Sequence, residues 1–253
     1  MEIKTQNVLE NDSSSEKTED INVSNGDYIS GFKECDISYS LVKPKRTFYT
    51  VVIKRILDVV LSGIAILILS PLLLLIAILE LFFHGRPVFF AQERPGLNEK
   101  IFKLYKFRSM TEEKDAHGEL LPGEQRVTKF GHFLRRFSLD ELPELFSILK
   151  GDMSIIGPRP LLVKYLPLYN ERHKHRHDVR PGLTCVSLKA ITTWTWNDQF
   201  ENDIWYIENC SLLVDIRMIF AVLREAIVGS EYRVDDTRPE YDGTNLHYDP
   251  KKN

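Results

Sequence analysis

Apolar residues are unevenly distributed along the chain, and their densest stretch runs from Ile56 to Phe83. From Val59 to Leu79 it holds no charge and almost nothing polar, enough to cross a hydrocarbon core of roughly 30 Å as one helix. Ser70-Pro71 interrupts its middle. Proline has no N–H to donate and its ring crowds the carbonyl four residues back, which predicts a kink or a restart. The released carbonyls then need partners, and the serine hydroxyl can bond to nearby backbone. Two topologies follow: a re-entrant helix-break-helix that dips into one leaflet, or a kinked span. Basic residues flank both sides, Lys43, Lys45, Arg46, Lys54 and Arg55 before the run and Arg86, Arg94, Lys100 and Lys103 after it. Cations in short loops stay on the cytoplasmic side, so this symmetry favours entry and exit through one face.

Elsewhere the pattern predicts short elements. Residues 47–55 combine aromatics with Lys54 and Arg55, which suits an interfacial helix merging with the anchor. Residues 86–96 read as a strand closed by Pro95-Gly96, and 101–110 as a strand alternating apolar residues with Lys103, Lys106 and Arg108. A charged loop covers 111–126. Phe130, Phe133, Leu134 and Phe137 then fall at helical spacing, on a face for core or lipid. Residues 165–170, a proline flanked by aromatics, suit a helix or loop pressed on the interface, and His173, His175 and His177 read as a solvated basic face. Residues 211–224 place Leu212, Ile216, Ile219 and Leu223 near one stripe of an amphipathic helix.

Composition narrows the class. Residues 1–45 are rich in Ser, Asn, Asp and Glu, too polar to offset their ordering entropy, and read as a disordered acidic extension. The apolar run begins well inside the chain and so reads as an anchor at 46–85, not a cleavable signal. Residues 86–229 are left for a folded domain and 230–253 for a polar, loosely ordered tail. The net charge of −3 argues against nucleic acid as a partner. Cys35, Cys185 and Cys210 form neither a disulfide framework nor a CxxC site, which fits a reducing compartment.

The densest chemistry lies at 137–160. Asp140 and Glu141 are adjacent acids, and Ser138 with Glu141 has capping-box spacing, so a helix should begin there. Either acid could simply cap that helix. Three features favour a site: a helix N-terminus offers free N–H groups to phosphate, Arg135 and Arg136 precede the acids by about a turn, and Arg159 sits in a rigid Gly-Pro-Arg-Pro loop. A carboxylate pair beside guanidinium groups is what a magnesium-diphosphate substrate requires.

The ordered set Arg-Pro-Gly (94–96), Tyr-Lys-Phe-Arg-Ser-Met (105–110), Ser-Leu-Asp-Glu-Leu-Pro (138–143), Lys-Gly-Asp-Met-Ser-Ile-Ile-Gly-Pro-Arg-Pro (150–160) and Arg-Pro-Gly-Leu-Thr (180–184) resembles the bacterial sugar transferases, monotopic phosphoglycosyl transferases. The likeness covers residues 47–229. It implies a mainly helical α+β fold: a re-entrant helix, a small cytoplasmic catalytic domain and interfacial amphipathic helices on the inner membrane. It further implies Mg²⁺ held by Asp140 and Glu141, and Asp140 as the nucleophile that takes a phosphosugar from a UDP-sugar and expels UMP. Polyprenyl phosphate, undecaprenyl phosphate in bacteria, would then collect the sugar for downstream glycosyltransferases. Arg135, Arg159 and Lys106 are the expected phosphate binders, with Arg136, Lys103 and Asp215 weaker candidates.

The chain departs from the family pattern at 185–197, where Cys-Val-Ser-Leu-Lys-Ala-Ile-Thr-Thr-Trp-Thr-Trp-Asn replaces a segment with a flexible glycine, an amide and a cation. Trp194 and Trp196 there could stack on a base or sugar, although packing or interfacial anchoring is favoured. A scaffold or regulator that keeps the fold without turnover is the alternative function.

Overall fold

The computed structural model describes residues 42–188, 195–228 and 239–247. Residues 1–41, Trp194 and most of the 230–253 tail, on which several expectations fall, lie outside them. Helix α1 (Lys54–Phe83) continues from a π-helical stretch at Tyr49–Ile53, so the expected merger of the 47–55 segment with the anchor is present. At 1.5 Å per residue α1 is about 45 Å long. It is long and apolar enough to cross a membrane, and most of it is exposed, with Leu67 at 75% and Ile68 at 68%.

The expected restart at Ser70-Pro71 does not occur, because helical structure is unbroken through Pro71. Proline at position 71 leaves the Leu67 carbonyl without its usual N–H, and the Ser70 hydroxyl donates to that same carbonyl at 2.8 Å.

Both ends of α1 are fastened to the same domain. Near its start, Arg55 donates to the Ile148 and Leu149 carbonyls, and Asp58 accepts from Ser154 Oγ at 3.1 Å and Ile155 N at 3.0 Å. Near its end, Ile76 packs with Phe107 and Leu134, and buried Glu80 bonds His84, whose other ring nitrogen reaches Thr128. Asp58→Ala is expected to lower stability by about 1 to 2 kcal/mol, because it leaves the Ile155 N–H without its acceptor, whereas Ser154 Oγ keeps the Ile156 carbonyl. A lower Tm in detergent, largely restored by Asp58→Asn, is the expected readout.

The remaining elements follow in short pieces. Strands β1 (Phe89–Pro95) and β2 (Ile101–Phe107) form an antiparallel hairpin in which Gln92 faces Leu104 and Phe90 faces Lys106. After the 111–122 loop come a single turn, α2 (Gly123–Arg126), and α3 (Lys129–Arg136), which Thr128 caps by accepting from Gly131 N. A 3-10 turn at Leu139–Glu141 leads into α4 (Glu144–Lys150).

The C-terminal end of α4 shows how the acid turn is tied to α1. Gly151, at φ +105°, turns its N–H back to Ser147 and Ile148, while the Arg55 guanidinium takes the last helical carbonyls. A side chain at Gly151 would crowd that guanidinium as well as strain the backbone.

Strand β3 (Ser154–Ile156) pairs in parallel with β4 (Gly182–Thr184), with the short α5 (Glu171–Lys174) between them in sequence. Next come α6 (Trp196–Asn209), opened by a Thr195/Asp198 capping box, and α7 (Leu212–Val228). Met218 and Asp215 of α7 are buried, whereas Leu212, Ile216, Phe220 and Leu223 are exposed. The helix therefore has apolar residues on both its packed and its open faces. The described residues are mainly helical, with two small sheets and one long apolar helix, a membrane-associated α+β architecture.

Three local expectations need correction. The histidine run is not a solvated face: His173, Arg176 and His177 are buried, and burial next to Arg176 drives His177 down to about 3. Tyr165 and Tyr169 do not lie on an interface but join Trp196, Phe200 and Tyr241 in a buried aromatic cluster. Tyr241 comes from the segment expected to trail loosely, and Pro239–His247 instead packs back onto the domain.

Candidate active site

The acid pair sits where α3 hands over to α4. Ser138, at φ +53°, makes no side-chain cap, so the expected capping box does not form. Its carbonyl accepts from Glu141 N in a tight 3-10 turn, which frees the Glu141 side chain to face β2 and the 157–160 loop. Lys106 of β2 reaches Glu141 at 2.6 Å and Glu144 at 3.2 Å, and Arg159 pairs with Glu141.

Arg159 is held by backbone fit. Gly157 and Gly182 approach so closely that a Cβ on either would strike the other's backbone. From below, Arg176 donates to the Arg159 carbonyl at 2.8 Å while bonding Asp203 at 2.7 Å and Tyr169 Oη at 2.9 Å. A buried, fully partnered arginine thus sets the loop that carries an exposed one.

The two acids differ electrically. Burial would raise Glu141, but Arg159 and Lys106 outweigh it and pull the carboxyl down to about 2. Asp140 moves the opposite way: burial and the neighbouring Glu141 charge raise it, against a partial pull from Lys106 and Arg135. Glu144 is also raised, chiefly by burial. The hydrogen bonds and ion pairs of the cluster centre on Glu141 and leave the Asp140 carboxylate outside that knot.

Lys106, Asp140, Glu141 and Arg159 are therefore brought together, with Arg135 close enough to act on Asp140 while its Nε bonds Ser109 Oγ. Lys103 is exposed, at a β2 position of opposite parity to Lys106. Arg136 lies over the Phe137 ring. Asp215 is elsewhere: its carboxylate accepts from Tyr49 at 2.5 Å, Lys54 at 2.6 Å and Tyr206 at 2.8 Å, which ties α7 to the start of α1. Asp215 thus clamps these elements together and is not among the residues that line the cavity beside the acid pair.

A cavity of about 340 Å³ adjoins the cluster and shares Lys106, Glu144 and Arg159 with it. Gln92 and Arg94 extend the polar lining, and Leu104, Leu161, Leu162, Tyr165 and Trp196 supply the apolar lining. Sequence reasoning missed Glu144, Gln92, Arg94 and Tyr165 as site residues. The shared even parity of Gln92, Arg94, Leu104 and Lys106 on two adjacent strands was the available signal for most of that wall.

Among the described residues no group of three or more His, Cys, Asp or Glu side chains could hold a metal. That fits Mg²⁺ only in its substrate-assisted form, in which one or two carboxylates and the phosphates of the substrate share the ion. Asp140 and Glu141 are the hard-oxygen pair available for that.

Comparison with known proteins agrees with this arrangement. Residues 49–229 match the family Bacterial sugar transferase. The chain is 44% identical over 180 residues to the uncharacterized sugar transferase EpsL of Bacillus subtilis, spanning 70% of this chain and 88% of EpsL. It is 37% identical over 186 residues to the UDP-N-acetylgalactosamine-undecaprenyl-phosphate N-acetylgalactosaminephosphotransferase of Aeromonas hydrophila. It is 36% identical over 189 residues to the UDP-glucose:undecaprenyl-phosphate glucose-1-phosphate transferase of Escherichia coli. Each alignment takes in 70% of this chain but only 44% and 40% of those two relatives. With the acid pair, the Gly-Pro-Arg-Pro loop and the long apolar helix inside the matched span, this chain belongs to the bacterial sugar transferase family.

Proposed function

We propose that this chain transfers a phosphosugar from a UDP-sugar to polyprenyl phosphate, undecaprenyl phosphate in a bacterial membrane, through a covalent intermediate on Asp140. The observation that carries it is the division of labour in the acid pair: Glu141 is tied to Lys106 and Arg159, while Asp140 stands outside those ion pairs beside them. An Asp140 oxygen attacks the β-phosphorus, the bond to the bridging oxygen breaks, and UMP leaves with that oxygen. A phosphate oxygen of the lipid then attacks the same phosphorus and returns the Asp140 carboxylate. Lys106 and Arg159 exchange from Glu141 onto phosphoryl oxygens as the diphosphate enters, and Arg135 offsets charge on the other side of Asp140. Asp140 and Glu141 would hold Mg²⁺, which would supply charge neutralisation.

We further infer that α1 is re-entrant and that the domain lies on the cytoplasmic face of the inner membrane, where the product is passed to downstream glycosyltransferases. Contacts from both ends of α1 to one domain support this, since a straight span would carry one end to the far side. The exposed apolar face of α7 and the exposed rings of Phe133 and Phe137 suit the lipid boundary. Single cysteines replacing Lys45 and Lys100, in a chain lacking its own cysteines, should be labelled from the same side of the membrane. Labelling from opposite sides would remove the re-entrant topology.

The function itself is tested by UMP release from a panel of UDP-sugars with Mg²⁺ and polyprenyl phosphate in detergent. Release from at least one donor is expected. No release from any donor would favour the scaffold.

A further inference from the structure

The cavity beside the acid pair has two unlike walls. Arg94, Lys106 and Arg159 make one side cationic, while Leu161, Leu162, Tyr165 and Trp196 make the other apolar. A nucleoside diphosphate sugar has the matching division, a charged diphosphate and a flat, weakly polar base, and about 340 Å³ lies within the range of small-ligand pockets.

The two aromatic rings of the apolar wall are held by a segment outside the 49–229 family match. Tyr241, itself 3% exposed, meets Tyr165 edge-on at 5.7 Å and lies 5.6 Å from Trp196 between ring centres. Trp196 Nε1 donates to the Pro239 carbonyl at 3.0 Å, and Asn197 N donates to the Leu246 carbonyl at 2.9 Å. Tyr241 Oη fastens the segment to the Leu168 carbonyl at 3.0 Å, and Glu240 pairs with Lys164. Tyr241 does not line the cavity; it touches both aromatic residues that do.

We propose that Pro239–His247 is a strap that sets the aromatic wall of the donor pocket, and that Tyr241 is a positioning residue for the nucleoside end of the donor. This rests on the nucleotide-sugar reading above. Trp196 opens α6, and the strap supports that residue directly.

The test uses the full chain in detergent, with UDP as the binding probe and with steady-state kinetics. Tyr241→Ala is expected to weaken UDP binding and raise donor KM roughly 3- to 10-fold, the scale of lost aromatic contacts. Values of kcat and acceptor KM should stay within about twofold, because the reacting groups are untouched. Tyr241→Phe keeps the ring and should restore most of the affinity. If Tyr241→Ala does not fold, hydrogen exchange on the wild type decides: UDP should protect amides in 239–247 and around Trp196.

Failure of the wild type to bind UDP, unchanged donor KM in Tyr241→Ala, a parallel loss of kcat and acceptor KM, or no added protection would each overturn the strap. UDP binding that depends on Tyr241 without UMP release would leave the strap standing and defeat the turnover proposed above. UMP release with a donor KM independent of Tyr241 would do the reverse.

Discussion

Asp140→Asn is expected to lower UMP release at least about 10⁴-fold, because the amide removes the nucleophile of the proposed first step. The substitution is nearly isosteric and spares the Glu141 ion pairs with Lys106 and Arg159, so UDP binding and folding should change little. The same residue sets an acid limit on the wild type. Only the ionised carboxylate can attack, and burial together with the Glu141 charge raises its pKa. Activity, read as kcat/KM against pH, should therefore fall on acidification at a pH above the ordinary aspartate value. Glu141, drawn down to about 2, stays ionised throughout that fall and cannot be its source. A fall at or below the ordinary aspartate value would contradict the assignment of Asp140 as the titrating group.

Arg159→Ala should cost about 10²- to 10³-fold in kcat, the usual effect of removing one preorganised charge from a developing phosphoryl anion. Lysine in its place should recover only part of this, since a point charge cannot offer the paired donors of a guanidinium. Loss of Arg159 also unpairs one side of Glu141, so the Glu141 carboxyl should titrate higher. An Arg159→Ala enzyme with wild-type kcat and only a raised donor KM would move Arg159 from transition-state stabilisation to simple substrate binding.

Much of the site was legible before the structure. The two strands, the helix that carries Phe130, Phe133 and Leu134, and the acid pair with its neighbouring cations follow from alternation, helical spacing and charge. What escaped was decided by long-range packing. Ser138 has capping-box spacing, but the backbone reaches the left-handed region and Glu141 finds two cations instead. The Arg172–His177 run looks like a charged surface until Asp203, Tyr169 and Glu201, brought in from elsewhere in the chain, bury it. Asp215 was a weak candidate by family resemblance alone, and local sequence cannot show that Tyr49 and Lys54 reach it from more than 160 residues away. The Ser70 hydroxyl could be named from the sequence as a donor to nearby backbone, but its acceptor, the Leu67 carbonyl, could only be observed.

The most direct measurement is to incubate the protein with Mg²⁺ and a UDP-sugar labelled at the β-phosphate, withhold the lipid acceptor, quench, and map the label by peptide sequencing. One labelled peptide carrying the phosphosugar on Asp140, discharged when polyprenyl phosphate is added, is the expected result. Label on another side chain, or turnover to lipid-linked product with no protein-bound label at any time, would contradict it.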